Sequence, residues 1–136
     1  MERPIFVYGS LMQGFWNAKK YLNGKVVRRK PATTKGRLYH IENRGYPALV
    51  EGEDVVYGEV IWVKAFEEVV KELDTLENYS QARSENSQYM RVVQPIEVDG
   101  SQIEAYVYRY NTEATMNQQD QLNLVPKGAW RAYMNE

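Results

Sequence analysis

The sequence predicts an α+β fold, a curled sheet or barrel packed by helices, and three of its segments carry that reading. Over residues 65–77, apolar residues recur at helical spacing. Over residues 56–64, apolar residues occupy both alternating faces, as in a strand covered on two sides. At Asp99-Gly100, two strand-like runs meet in a dipeptide suited to a two-residue hairpin turn.

The elements follow in order along the chain. Residues 5–8 form a short apolar strand stopped by Gly9-Ser10, and a helical turn follows over 17–22. Strand-like segments cover 25–30, 35–41 and 56–64, with Gly45-Tyr46-Pro47 as a turn. The helix of 65–77 places Phe66, Val69, Val70, Leu73 and Leu76 on one stripe between charged residues. No good N-cap precedes it, whereas Asn78 tolerates the left-handed conformation that ends helices. After a polar loop over 81–87, a tight Asp99-Gly100 turn would pair Val98 with Ser101, Arg91 with Tyr108 and Tyr89 with Tyr110. One face then holds Tyr89, Arg91, Tyr106, Tyr108 and Tyr110. The other, with Met90, Val92, Ile96, Val98, Ile103, Ala105 and Val107, is the expected core face. The Gln- and Asn-rich last segment is anchored by Trp130 and Tyr133.

Composition narrows the function classes. The chain has 136 residues, 43% hydrophobic and 26% charged, which suits a single globular domain over 1–136. Its first residues show neither a signal-peptide h-region nor a membrane span, so a cytoplasmic protein is expected. No cysteine is present and His40 is the lone histidine, which leaves carboxylates, tyrosines and backbone amides to carry any chemistry. A formal charge of −1 argues against nucleic acid as a partner. Arg28-Arg29-Lys30 reads as a solvated strand edge, Glu51-Gly52-Glu53-Asp54 as a charged turn, and His40 as a half-buried strand residue.

Two features could hold chemistry. At ~100° per residue, Glu77 lies ~20° from Phe66 and within ~40° of Val70 and Leu73, whereas Asp74 is ~80° from Phe66. Glu77 is therefore the one acid on the apolar stripe, at the end where the helix dipole opposes negative charge. Both effects raise its pKa, as a general acid–base needs. The competing reading is a helix-end glutamate that turns out to solvent or pairs with Arg91 or another cation. The second feature is Tyr8-Gly9-Ser10-Leu11, whose consecutive N–H groups can hold a carboxylate or an oxyanion. An ordinary strand-to-turn junction has the same look.

These segments fall in one order: Phe6-Val7-Tyr8-Gly9-Ser10-Leu11, Asn17, Gly36-Arg37-Leu38-Tyr39, Gly45-Tyr46-Pro47-Ala48-Leu49-Val50 and Val56-Tyr57-Gly58-Glu59-Val60. Leu73-Asp74-Thr75-Leu76-Glu77-Asn78-Tyr79, Tyr89-Met90-Arg91-Val92, Ala105-Tyr106-Val107-Tyr108 and Gly128-Ala129-Trp130-Arg131 follow. The series resembles the γ-glutamylcyclotransferase family, also called AIG2-like or BtrG-like. The resemblance implies a small mixed β-barrel flanked by helices. It further implies a transferase that cyclises a γ-glutamyl amide to 5-oxoproline with release of an amine, without metal or cofactor. The family's catalytic glutamate falls on Glu77, its substrate loop on Tyr8, Gly9, Ser10 and Leu11, and pocket tyrosines on Tyr89 and Tyr108. Asn78 stands where the family usually has glycine, and Met12-Gln13 where it often has arginine. The alternative is a non-catalytic module of this fold that binds a γ-glutamyl-like molecule or a protein. The particular substrate and the oligomeric state are not legible.

Overall fold

The structure, a computed structural model, describes residues 3–135, with Arg83 and Ser84 as backbone alone. Met1 and Glu2, where the reading of the N-terminus began, lie outside the described residues. The elements run β1 (Ile5–Val7), α1 (Trp16–Tyr21), β2 (Val26–Ile41), β3 (Tyr46–Val63), α2 (Phe66–Leu76), β4 (Tyr89–Val98), β5 (Ser101–Tyr110), β6 (Leu122–Leu124) and α3 (Trp130–Met134). One six-stranded sheet has the order β3-β1-β5-β4-β2-β6, and a further β2–β3 pairing closes five strands into a ring. Because β1 is antiparallel to β3 but parallel to β5, the sheet is mixed. The fold is the expected α+β barrel with helices outside. The ring is loose, since β2 meets β4 at one residue pair, Thr33↔Glu97.

β2 and β3 are longer than the sequence pattern suggests. Residues 25–30 and 35–41 merge into one strand despite Pro31, whose missing N–H matters little where β2 has almost no partner on its β4 side. The turn before β3 is not Gly45-Tyr46-Pro47. Gly45 takes a φ of +81° and closes the turn onto the Ile41 carbonyl, so Tyr46 and Pro47 already pair with Ile41 and His40. Glu51-Gly52-Glu53-Asp54 is not a turn either. Residues 51–53 bulge out of β3 between the pairs Arg37↔Val50 and Gly36↔Asp54.

The basic run is only partly a solvated edge: Arg29 pairs with Glu59, Lys30 pairs with Asp99, and Arg28 lies over the Trp62 ring. On β3 the double coverage holds for Val60 and Ile61 but fails at Tyr57, which is half exposed.

α2 matches its pattern, with Ala65 as a starting residue that offers no side-chain cap. Val69, Val70 and Leu73 bury its stripe against the outer surface of the sheet. The hairpin forms in the expected register, and both turn residues take positive φ, +52° at Asp99 and +78° at Gly100. That is the primed geometry whose twist matches paired strands. Burial across the hairpin is not one-sided, however. Tyr89, Tyr108 and Tyr110 are as buried as Ile96, Ala105 and Val107. The ring interior takes one face, and α2 with its flanking loops covers the other.

The last segment is anchored as expected at Trp130, which is fully buried against Phe15, Trp16 and His40. His40 is itself buried, not half-buried, and its Nδ1 accepts the indole N–H at 3.1 Å. No helix among the described residues is long and apolar enough to cross a membrane.

Gly100→Ala isolates the conformational term of the hairpin, because a Cβ there meets no atom within 4 Å. It should lower stability by about 1–2 kcal/mol, the cost of holding an L-residue left-handed. Urea denaturation of the variant measures this, and an unchanged midpoint would show that the turn has another way to form.

Candidate active site

Glu77 is the C-cap residue of α2, and the chain beyond it closes a Schellman motif. Asn78 sits at φ +54°, its N–H reaches the Thr75 carbonyl at 3.1 Å, and the Tyr79 N–H reaches Asp74 at 2.8 Å. This termination fixes where Glu77 leaves the helix. Its side chain turns into a cavity of about 150 Å³. Among the described residues no hydrogen bond or ion pair engages its carboxyl group. Removal from water alone pushes the Glu77 pKa up to about 7 from 4.5. The pairing with Arg91 that periodicity left open does not occur. Arg91 instead grips Asp74, at 3.0 and 3.4 Å, with its guanidinium over the Tyr106 ring.

Facing Glu77 is the turn after β1. Tyr8, Gly9, Ser10 and Leu11 all line the cavity. The N–H groups of Gly9, Ser10 and Leu11 donate to no acceptor among the described residues, although their neighbourhood is well bonded: Met12 N–H to Gly9 O and Ala18 N–H to Ser10 O, both 3.0 Å. Asn17 donates to Ser10 Oγ at 2.7 Å and fixes that side chain. Gly9 is required by packing as much as by any ligand, because a Cβ there would lie 2.6 Å from the Pro47 ring.

The tyrosines complete the wall. Tyr8 donates its hydroxyl proton to Tyr108 O at 2.5 Å, Tyr89 to Pro47 O at 2.5 Å, and Tyr108 to Asp74 Oδ1 at 2.6 Å. Burial raises the pKa of all three, and the nearby Glu77 charge raises each further. They stay protonated, and each proton is already committed to the protein. Whatever meets these hydroxyls is offered a lone pair.

All seven residues that sequence reading singled out therefore line one cavity. Sequence reading missed Tyr46, Pro47 and Gln88 in the same wall. Gln88 donates to the Tyr46 hydroxyl at 2.5 Å across 42 positions, and no local pattern announces such a contact. No cluster of three His, Asp or Glu side chains able to hold a metal occurs among the described residues.

Residues 5–132 match the family described as gamma-glutamyl cyclotransferase, AIG2-like. The gamma-L-glutamyl-butirosin B gamma-glutamyl cyclotransferase of Niallia circulans is 30% identical over 109 residues, 80% of this chain and 67% of the relative. MJ1514 of Methanocaldococcus jannaschii, provisionally named a gamma-glutamylcyclotransferase, is 36% identical over 110 residues, 78% of this chain and 82% of the relative. Among solved structures, YkqA from Bacillus subtilis superposes with a TM-score of 0.70 at 25% identity over 98% of this chain. This chain spans only 41% of YkqA.

The raised Glu77 pKa has a consequence for stability. Between about pH 4.5 and 7 the folded protein keeps a proton that the unfolded chain loses, so stability falls as pH rises through that window. Glu77→Gln should remove the fall and be more stable than wild type at pH 8, by up to about 3 kcal/mol. The difference should vanish below pH 4.5. Denaturation curves across this range check both signs, and parallel pH profiles for the two proteins would place Glu77 in water.

Proposed function

The chain belongs to the AIG2-like gamma-glutamyl cyclotransferase family, and from that premise we propose that it cyclises a γ-glutamyl amide to 5-oxoproline, with Glu77 carrying the proton. The observation that carries this reading is the unpaired Glu77 carboxyl group lining a small cavity with a pKa of about 7. Near neutral pH such a group is present in both protonation states, which suits a step that takes a proton and a later step that returns it.

The cavity sorts the two ends of a γ-glutamyl head by charge. Free N–H groups at Gly9, Ser10 and Leu11 suit its α-carboxylate. Glu77 and three hydroxyls whose protons are committed suit its ammonium, which has protons to give and no lone pair to receive. About 150 Å³ takes a ligand of roughly benzene size, so the γ-glutamyl head enters and the remainder of the amide stays outside.

Held this way, the head is folded for attack on itself. Glu77 takes a proton from the α-ammonium, and the freed amine adds to the γ-carbonyl carbon. A ring C–N bond forms and negative charge moves to the carbonyl oxygen. Collapse of that intermediate breaks the original amide C–N bond as Glu77 returns its proton to the departing nitrogen, and the second proton of the ring nitrogen passes to the freed amine, which leaves as an ammonium. The products are 5-oxoproline and a free amine, and no water is consumed. The reaction is intramolecular, so positioning and one proton carrier supply the catalysis without a metal. Asp74 serves at one remove, by holding the Tyr108 hydroxyl and keeping Arg91 away from Glu77.

A panel of γ-glutamyl compounds tests the proposal: a γ-glutamyl amino acid, a γ-glutamyl-lysine-type amine and a γ-glutamyl-acylated natural product, with 5-oxoproline quantified. Wild type should release it from at least one. Glu77→Gln should release none while still binding the ligand by calorimetry, since the loop amides are intact. Asp74→Asn should lose about tenfold or less, because its Oδ1 still accepts from Tyr108 and only charge is lost. Binding across the panel without release from wild type would favour a non-catalytic pocket protein. Wild-type rates in the Gln variant would move the proton carrier elsewhere.

A further inference from the structure

The loose seam of the ring opens a second and larger cavity. β2 and β4 share one backbone pair, Thr33↔Glu97, and are otherwise joined through the side chains of Thr34 and Gln94; a cleft of about 610 Å³ lies along this seam, several times the volume beside Glu77. That volume is typical of small-molecule sites.

Its lining combines one uncommitted cation with an apolar wall. Arg109 stands on β5 two positions beyond Val107, on the face of the hairpin that looks into the ring. It is half-buried, and among the described residues it makes no ion pair and no hydrogen bond. Its charge reaches inward to Tyr8, whose pKa it lowers against the larger effect of burial. Arg91 and Arg131, by contrast, are paired with Asp74 and Glu59. Around Arg109 the cleft presents Val92 and Ile96, with Val55 and Val93 at 50% and 44% exposure on its open side.

The remaining polar groups narrow the ligand. The Gln94 amide is spent on Thr34 Oγ1 and Lys35 O, and Lys35 pairs with Glu53. Glu51 and Glu97 also line the cleft, so a nucleotide or another polyanion would meet two carboxylates. A single negative charge meets one guanidinium and passes them.

We propose that the β2–β4 seam is a second ligand site, which takes an amphipathic monocarboxylate with its carboxylate on Arg109 and its apolar body against Val55, Val92, Val93 and Ile96. The site is separate from the Glu77 cavity in lining and in chemistry.

Octanoate is a suitable probe, with octanol and octylamine as controls of the same length. Titrated into the full chain and followed by NMR, octanoate should shift the amide resonances of Val55, Val92, Val93 and Arg109 saturably, whereas the controls should not. Arg109→Met keeps the bulk and removes the charge, and should weaken octanoate roughly tenfold or more. Val93→Glu, at an exposed position that folding tolerates, should do the same by repulsion. Glu77→Gln should bind octanoate as wild type does, which separates this site from the proposed reaction. The inference is overturned if octanoate produces no saturable shift up to its solubility limit, if octanol binds equally well, or if both seam variants retain wild-type affinity.

Discussion

The site depends on one pairing, that of Arg91 with Asp74. Asp74 lies three residues before Glu77 on the same helix, and Arg91 is the cation that sequence reading offers Glu77 as a partner. Two hydrogen bonds to Asp74 and the face of Tyr106 hold the guanidinium in place. Glu77 is thereby left with burial and no counter-charge, the condition under which a carboxyl group keeps its proton near neutrality. The same aspartate fixes the Tyr108 hydroxyl, and the Tyr108 carbonyl in turn fixes Tyr8. Asp74 thus orders one side of the cavity wall while it engages the nearby cation.

Much of this was legible where the relevant physics is local. The Glu77 position follows from counting turns along α2, and the α2 end follows from what asparagine can do at positive φ. The Asp99-Gly100 turn set a ten-residue register because a two-residue loop leaves no freedom to slip. Legibility stopped where an element answers to a distant partner. Tyr46 and Pro47 look like a turn, yet they are strand because Gly45 had already finished the turn. Residues 51–53 look like a charged loop, yet they are a bulge accommodated by close packing at Gly36 and Gly52. The tyrosine face was grouped correctly, but which way its hydroxyl protons point is decided by distant acceptors, the Pro47 carbonyl 42 positions from Tyr89 and the Asp74 carboxylate 34 positions from Tyr108.

A barrel closed by continuous ladders has no edge, and this one keeps one. β2 and β3 pair along most of their length, and β4 with β5 likewise, so the fold resembles two long hairpins joined by β1 on one side and by a single bridge on the other. The rigid joint carries Tyr8 and the turn that faces Glu77. The weak joint lies across the ring from it. Whatever flexibility the ring has is therefore placed away from the groups whose geometry the chemistry would need.

α3 also determines when the site can exist during synthesis. The turn at Gly9 is made long before the ring of Trp130, which packs on Phe15 and lies 4.0 Å from a Cβ built at Gly9. Arg131 fastens the same turn through the Gln13 carbonyl and Glu59. β1 likewise waits about a hundred residues for its parallel partner β5. A nascent chain can form the β2–β3 hairpin and α2 early and can pair β1 with β3, but the turn after β1 has its full set of partners only once Trp130 has been made. Such non-local closure predicts slow maturation for a domain of this size, with the docking of Trp130 as the event that assembles its cavity.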